Sequence, residues 1–323
     1  MLLPLTAEHP SPWPGSGRLA RAAIVAVTAV ALIGATLLAN VAFWREPRSV
    51  TVGLVEVRTP AWPEDAAPVR IALLSDFHVD NVHMTPERIR GLATTTAALD
   101  PDMVVLGGDY VGGLLGESGR GGARNRRTTE ANRVVEDGLS ALTTFKAREG
   151  VFAIIGNHDC WWDCRRVAAV LEAGGVKVLQ NASARVARPK GARGGDVWLV
   201  GLEDAQTQKP DFRAASAGVP AGAAVVGLAH NPGLFDWSSN TLPILLAGHT
   251  HGGQVRFPWI GAPAKMSRHT EDAFQGFFVH DGRVLVVTRG LGESGLPVRF
   301  GSPPEILMVR ISHGTTATAD RLP

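Results

Sequence analysis

The stretch VRIALLSDFH at residues 69–78 decides the fold of this chain, because an apolar run ends there in an aspartate and a histidine. The pattern returns in MVVLGGD at residues 103–109 and in VFAIIGNHD at residues 151–159. Short apolar runs bounded by polar and glycine residues are typical of buried strands. Helical patterns separate these runs at residues 85–98, with Thr85 as N-cap and Pro86 at the first position, and at residues 130–146. The alternation predicts an α/β domain.

The second half of the chain is richer in strands than in helices. Strand-like runs cover residues 196–200, 224–228, 243–246, 277–280, 283–288 and 305–311. The pair at 277–280 and 283–288 flanks an Asp281–Gly282 turn, which indicates a hairpin. A further short strand is expected at residues 50–57. This distribution favours a second sheet over one doubly wound sheet.

Ligand-type side chains follow five of these strands, namely Asp76 and His78, Asp109, Asn157 and His158, His230, and His249 and His251. The carboxyl ends of strands are where ligands bind in open α/β sheets. Carboxylate, amide and imidazole without thiolate suit manganese, iron, zinc or nickel better than calcium or a structural zinc site. Each motif alone is weak, but their recurrence after five apolar strands predicts a metal site.

In chain order, the blocks D-x-H, G-D, G-N-H-D, H and G-H-x-H resemble those of the calcineurin-like metallophosphoesterases. They stand here as Asp76-Phe77-His78, Gly108-Asp109, Gly156-Asn157-His158-Asp159, His230 and Gly248-His249-Thr250-His251. The resemblance covers roughly residues 69–310, a span appropriate to one domain. The stretches AGHTHGGQ at 247–254, HNP at 230–232 and GLGES at 290–294, with Arg299-Phe300 and Pro304-Glu305-Ile306, are similar to the membrane-associated bacterial branch typified by YkuE and YaeI.

The resemblance implies a four-layer sandwich of two mixed β-sheets flanked by helices. It implies two divalent metal ions, manganese first, with iron, zinc or nickel as alternatives. Asp76, His78 and His251 would hold one ion, Asn157, His230 and His249 the other, and Asp109 would bridge both.

Two such ions clamp phosphoryl oxygens and lower the pKa of a bridging water, so that a metal-bridging hydroxide attacks phosphorus. His158 would be the catalytic general acid, or would alternatively only orient a ligand. Asp159 is expected to hold either a ligand or the Cys160–Cys164 segment in place.

Residues 22–44 form an uncharged apolar segment between Arg18 and Arg21 on one side and Arg45 and Arg48 on the other. About 20 residues suffice to cross a bilayer, whereas the apolar region of a signal peptide has roughly 7–15. We therefore expect a transmembrane anchor rather than a cleaved signal. The balanced flanking charges do not fix the orientation. A short tail before a long domain favours a single-pass protein of the cell membrane with an extracytoplasmic catalytic domain.

The expected layout is an N-terminal tail (1–21), a transmembrane anchor (22–44), a linker with the first strand (45–68), a metallophosphoesterase domain (69–312) and a C-terminal tail (313–323). The formal net charge is only +2, so no nucleic-acid partner is expected. Residues 112–127, rich in glycine and arginine, are expected to form a solvated loop, or alternatively a mobile rim that meets an anionic substrate or lipid head groups.

These features predict a dinuclear metal-dependent phosphohydrolase. The leading hypothesis is a phosphodiesterase that acts on a membrane-associated phosphate ester, such as a phospholipid or a lipid-linked pyrophosphate. A phosphomonoesterase or protein phosphatase is one alternative. A non-catalytic metal-binding regulatory protein is another, and the complete ligand set argues against it.

Several other side chains carry weaker expectations. Cys160 and Cys164 are either two reduced thiols or a local disulfide, because spacing alone does not establish the geometry. Arg299 is expected to approach the substrate phosphate. Core packing is expected for Trp161 and Trp162, and surface positions for the histidines that match no block, His83, His269 and His280.

Overall fold

The computed structural model describes residues 16–80, 82–112, 128–188, 195–238, 242–263 and 275–322. Most of the predicted loop at 112–127, His269 and most of the N-terminal tail lie outside the described residues.

The first helix, α1, spans Ser16–Asn40 and continues through a π-helical turn, Val41–Arg45, and a 3-10 turn, Glu46–Arg48. Large apolar side chains along it, such as Ile24, Leu32 and Leu37, are exposed. Within the described part of the chain, one helix is long and apolar enough to cross a membrane, although a signal sequence near the N-terminus would meet the same criteria. An all-apolar helix without a protein surface around it is a candidate membrane span.

Sheet 1 is mixed and has seven strands in the spatial order β13-β1-β12-β2-β3-β4-β5. Their bounds are β1 Thr51–Thr59, β2 Val69–Leu74, β3 Met103–Leu106, β4 Val151–Ala153, β5 Lys177–Val178, β12 Glu305–His313 and β13 Thr318–Leu322. The strands from β2 to β5 run parallel, β1 is parallel to β12, and the pairs β12–β2 and β1–β13 are antiparallel. The parallel strands place their carboxyl ends at one edge.

Sheet 2 is also mixed and has six strands in the order β10-β11-β9-β8-β7-β6. Their bounds are β6 Ala182–Val186, β7 Val197–Gly201, β8 Ala224–Ala229, β9 Ile244–Ala247, β10 Gly276–His280 and β11 Arg283–Val287. The four central strands are parallel, and the two edge strands are antiparallel to their neighbours. The predicted hairpin at Asp281–Gly282 is confirmed as β10–β11.

Helices cover the outer faces of both sheets. They are α2 Pro86–Ala98, α3 Thr129–Leu142, α4 Asn157–Trp162, α5 Cys164–Ala173, α6 Phe212–Ala215 and α7 Leu234–Trp237. Thr85 caps α2 by accepting from the amide of Arg88, as predicted. Leu74 and Leu106 pack toward α2, α3 and α5, whereas Ile71 and Leu73 pack between the two sheets. Because successive side chains alternate along a strand, β2 contributes to both layers, and the predicted four-layer fold is confirmed.

Three strands escaped prediction, and each lies at a sheet edge: β5 and β13 in sheet 1 and β6 in sheet 2. Their sequences, KV, TADRL and ASARV, lack a continuous apolar run, because an edge strand needs less burial than a central one. β1 lies in the segment that was expected to contain a linker and the first strand, whereas β13 lies in the expected C-terminal tail, and both join sheet 1. The domain boundaries themselves stay a prediction.

Candidate metal centre

The ligand-type side chains lie where parallel strands of the two sheets end. Asp76 and His78 follow β2, Asp109 follows β3, and Asn157 begins α4 just after β4; His230 follows β8, and His249 and His251 follow β9. Backbone hydrogen bonds connect these loops. The amide of Asp76 donates to the carbonyl of Gly108 at 2.9 Å, and that of His249 donates to the Asp76 carboxylate at 3.0 Å. The carboxyl edges of both sheets therefore meet at one site.

Asp76, His78 and His251 form a first group of buried side chains that could hold a metal ion, with ligand atoms within 4.8 Å of one another. The two Nε2 atoms of His78 and His251 are 3.0 Å apart, and His251 Nε2 is 3.5 Å from Asp76 Oδ1. These are the three residues that the sequence assigned to one ion.

Asp109, His230 and His249 form a second group. Asp109 Oδ2 is 3.1 Å from His230 Nε2, and His230 Nε2 is 3.3 Å from His249 Nδ1. Asp109 Oδ2 is also 3.6 Å from His78 Nε2 in the first group. A third group, which joins His78 and Asp109 to His158, overlaps both of the others. Asp109 therefore lies between the two histidine clusters.

Two of the imidazoles are fixed from behind by main-chain carbonyls. His230 Nδ1 is 2.8 Å from the carbonyl oxygen of Gly107, and His251 Nδ1 is 3.2 Å from that of Gly292. A proton held at Nδ1 leaves the Nε2 lone pair directed into the site, the usual arrangement behind a metal-ligating histidine.

The site also contains a buried acceptor without a donor. Asn157 is only 1% exposed, and its buried Oδ1 atom has no hydrogen-bond partner. An unpaired amide oxygen in such a place carries a desolvation cost, which a bound cation would remove. The donor set of carboxylate, amide and imidazole therefore fits divalent transition metals.

The electrostatics favour the protonation states that metal ligands need at most of the site, but not at Asp76, whose pKa burial raises, or at His230. Burial lowers the pKa of His78 and His251 well below the usual value and that of His249 to about 4, so all three rings are neutral. Burial alone would raise the pKa of Asp109, but His230 and His158 outweigh it and the pKa falls. Burial likewise opposes the charge on His230, yet Asp109 raises the pKa of that ring. Metal binding at His230 must therefore displace a proton.

Asp159 organises the backbone around Asp109. Its buried carboxylate accepts from the amides of Asp109 and Gly156 at 2.9 Å, of Tyr110 at 2.8 Å and of Val111 at 3.0 Å. Burial and the negative charge of Asp109 together raise the pKa of Asp159 to about 7, although the amide hydrogen bonds act in the opposite direction. Of the two roles expected for Asp159, these contacts support the one of holding a ligand in place.

His158 lies at the mouth of the site. Its amide donates to Asp109 Oδ1 at 2.8 Å, and its ring centroid is 4.6 Å from that of His78. Its Nε2 is 3.5 Å from Ser294 Oγ. Trp161 packs against it, with ring centroids 4.5 Å apart, and is partly exposed. Trp162 is buried, as predicted, and donates from Nε1 to Asn132 Oδ1 at 2.9 Å.

Two expectations about isolated side chains were wrong. Arg299 is fully buried, and its guanidinium donates to the carbonyls of Gly292, Ser302 and Arg289 instead of facing a substrate. His83 is also buried, with Nδ1 3.0 Å from Glu293 Oε2. His83 and Glu293 come together only through folding, because they are 210 positions apart in the sequence. His280 is exposed, as expected.

Two residues of the site escaped prediction. Gln206 Nε2 is 3.1 Å from His249 Nε2, and Ser294 faces His158. Gln206 lies in the loop after β7. A search for polar side chains that follow strands, which identified the other candidates, would also have pointed to it. Cys160 and Cys164 are free thiols. Burial raises the pKa of Cys160, and a hydrogen bond with Cys164 raises it further.

Comparisons with known proteins agree with this geometry. The family model described as calcineurin-like phosphoesterase matches residues 69–253. The chain is 28% identical over 257 residues to the uncharacterized metallophosphoesterase YkoQ of Bacillus subtilis (strain 168), which covers 77% of this chain and 87% of that protein.

The name of one further relative states an activity, and the name of another states that it is a transmembrane protein. Phosphodiesterase YaeI of Escherichia coli (strain K12) is 28% identical over 269 residues, covering 80% of this chain and 87% of that protein. A transmembrane protein with metallophosphoesterase domain from Danio rerio is 27% identical over 291 residues, covering 86% of this chain and 61% of that protein.

Proposed function

The chain belongs to the calcineurin-like phosphoesterase family, whose members are phosphoester hydrolases, and we propose that it is a dinuclear metal-dependent phosphodiesterase of the cell membrane. Its substrate is a membrane-associated phosphate ester, such as a phospholipid or a lipid-linked pyrophosphate. The observation that carries the proposal is the position of Asp109, whose carboxylate lies within 3.6 Å of His78 and 3.1 Å of His230, and so between two histidine clusters.

In this proposal Asp76, His78 and His251 hold one divalent ion, Asn157, His230 and His249 hold the second, and Asp109 bridges the two. Manganese is the first candidate, and iron, zinc and nickel are the others. When bound, such a pair supplies the positive charge that activates a water molecule and neutralises the phosphoryl oxygens.

The side chains of the chain itself perform the remaining steps. His158, at the mouth of the site, donates a proton to the leaving oxygen, a role typical of a partly exposed histidine. Asp159 keeps the loop of Asp109 fixed against the start of α4 through four amide hydrogen bonds. This preorganisation leaves little to rearrange when charge develops on the phosphoryl group.

Two findings support the choice of substrate class. The resemblance to a relative named phosphodiesterase favours diesters over monoesters. The exposed apolar helix α1, together with a relative named as a transmembrane protein, supports an anchor that keeps the domain at a bilayer.

The test compares an aryl phosphodiester with an aryl phosphomonoester, using the full-length protein in detergent after chelation, with Mn, Fe, Zn, Ni, Mg and Ca added back singly. We expect metal-dependent cleavage of the diester. Asp109→Asn should abolish it, whereas Asp137→Asn, at an exposed carboxylate on α3, should not. Faster cleavage of the monoester would favour a phosphomonoesterase. Bound metal without cleavage of either ester would favour the regulatory alternative.

A further inference from the structure

Exposed apolar side chains surround the point where α1 meets the folded domain. Six of them form what we call the apolar rim: Phe43 and Trp44 in the π-helical turn, Phe257, Trp259 and Ile260 in the loop after the 3-10 turn His251–Gly253, and Leu296. Trp259 is fully exposed, and Ile260 is 78% exposed. Apolar groups of this size on one surface mark an interaction site in soluble proteins or a contact with lipid.

Hydrogen bonds join the three segments of the rim into one surface. The amide of Arg299 donates to the carbonyl of Ala42 at 2.9 Å, which connects the end of α1 to the segment after Leu296. Gln254 Nε2 donates to the carbonyl of Leu296 at 3.1 Å. The rings of Phe257 and Phe300 pack with centroids 5.6 Å apart. The apolar rim is therefore continuous with the end of α1 that meets the folded domain.

A tight loop at the tip of the apolar rim exposes the ring of Trp259. Phe257 and Gly261 exchange two backbone hydrogen bonds of 3.0 Å, so Pro258, Trp259 and Ile260 project as a tight loop. Trp259 has φ 67°, a left-handed conformation that is costly for a bulky residue. Such strain persists only where the surrounding structure imposes it, and here it accompanies a fully exposed tryptophan.

The chemistry around the rim matches a lipid surface. Tryptophan is enriched at membrane interfaces. The Arg48 guanidinium carbon lies 3.4 Å from the centre of the Trp44 ring, and Arg256 precedes the projecting loop. Positively charged side chains beside aromatic rings at the end of an apolar helix favour a position at the depth of anionic lipid head groups.

We infer that the apolar rim inserts into the head-group region of the bilayer that α1 enters, and that it turns the mouth of the metal centre toward the lipid surface. Ser294, which faces His158, is two residues from Leu296 and accepts at its carbonyl from the same Gln254 side chain. The membrane contact does not depend on catalysis. It rests on the proposal that α1 is a membrane anchor, and its consequence, that the phosphate ester of a lipid reaches His158 without leaving the bilayer, rests on the proposed hydrolysis as well.

The test uses full-length protein reconstituted into phosphatidylcholine–phosphatidylglycerol vesicles, with and without lipids brominated near the head group, which quench tryptophan emission on contact. Trp259→Phe should remove part of the lipid-quenched emission. The matched variant Trp237→Phe, at a 58% exposed tryptophan on α7, should not. Leu296→Trp should add lipid-quenched emission, which keeps the test valid if Trp259→Phe lowers the melting temperature.

Equal loss of lipid-quenched emission in the two Trp→Phe variants, or emission from the added tryptophan at 296 that only aqueous acrylamide quenches, would overturn the inference. Because no turnover is measured, an inactive protein can still pass this test, and an active one can fail it. The result is therefore independent of the proposed hydrolysis.

Discussion

Most of the proposed ligands have an unusual backbone conformation. The φ angles are 55° at Asp76, 46° at His78, 54° at Asp109, 71° at His249 and 53° at His251. A left-handed conformation at a residue other than glycine costs on the order of 1–3 kcal/mol. The cost recurs at the end of several strands because a sharp turn there directs the side chain across the sheet edge into the site. Strain concentrated on these residues is typical of a functional centre.

At Asp109 the prediction concerns both metal and turnover. Asp109→Ala removes a carboxylate that lies between the two histidine clusters. Loss of a residue that merely supports a ligand already costs about 10–100-fold, so turnover should fall by at least about 100-fold and bound metal should drop. Metal analysis and aryl diester hydrolysis measure the two effects. A metal-replete, active variant would remove Asp109 from the bridging position.

At His158 we expect a loss of turnover without a loss of bound metal. His158→Ala should lower turnover by about 10²–10⁴-fold, the usual contribution of a general acid, while both metal ions stay bound. The loss should be larger for an alkyl leaving group than for a nitrophenyl one, because only the poorer leaving group needs the proton. A uniform loss for both esters would assign His158 to positioning, and loss of metal would make it a ligand.

At the scale of the elements, glycine lets β3 and β4 approach at the site. A Cβ on Gly156 would stand 2.2 Å from Asp109 Oδ1 and 2.5 Å from the Asp109 amide nitrogen. Gly156 has φ −100°, so the requirement is one of space and not of conformation. The turn between β4 and α4 therefore needs glycine, because a larger residue there would clash with the carboxylate that follows β3.

Gly156→Ala should therefore displace Asp109, lower the metal content and reduce stability by about 1–3 kcal/mol, as overpacking of a core does. The control is Gly91→Ala on α2, where an added Cβ meets nothing within 4 Å. That change should stabilise the protein by up to about 1 kcal/mol, because alanine favours a helix. Thermal melting and metal analysis test both variants, and similar melting shifts in the two would contradict the steric argument.

At the scale of the whole molecule, Arg299 connects the N-terminal segment to the metal centre. Its amide donates to Ala42 at the end of α1, and its guanidinium donates to Gly292, whose carbonyl also contacts His251 Nδ1. Burial lowers the pKa of Arg299 to about 10, although Glu293 opposes that shift. The loop after β11, which contacts His251, and the π-helical turn that follows α1 thus share one buried cation.

Arg299→Met should destabilise the protein by about 3–5 kcal/mol, because it leaves the buried Glu293 carboxylate without its arginine and the carbonyls of Ser302 and Arg289 without their guanidinium donor. Arg133→Met removes an exposed arginine on α3, whose side chain is 74% exposed, and should change stability by less than about 1 kcal/mol. Thermal or urea unfolding of the full-length protein measures the difference. Equal stability of the two variants would mean that the Arg299 network is not a structural connection.

The central strands and the candidate ligands were readable from the sequence. β2 and β3 coincide with the apolar runs that begin the stretches at 69–78 and 103–109, and α2 begins at Pro86 after the predicted Thr85 cap. These features are local, because an apolar run, a cap and a ligand-type residue after a strand are each encoded within a few neighbours. The α/β class and the second sheet followed from their order, the four-layer arrangement followed from the family resemblance, and the roles of the ligands stay a prediction.

Only the tertiary structure decided which distant residues meet. His78 and His251 are 173 positions apart, and His83 and Glu293 are 210 apart. Arg299 was expected at a substrate and is a buried connector, and the edge strands β5, β6 and β13 have no apolar signal of their own. Such contacts arise from the packing of two sheets against each other. Their energies depend on partners that no local window of the sequence contains.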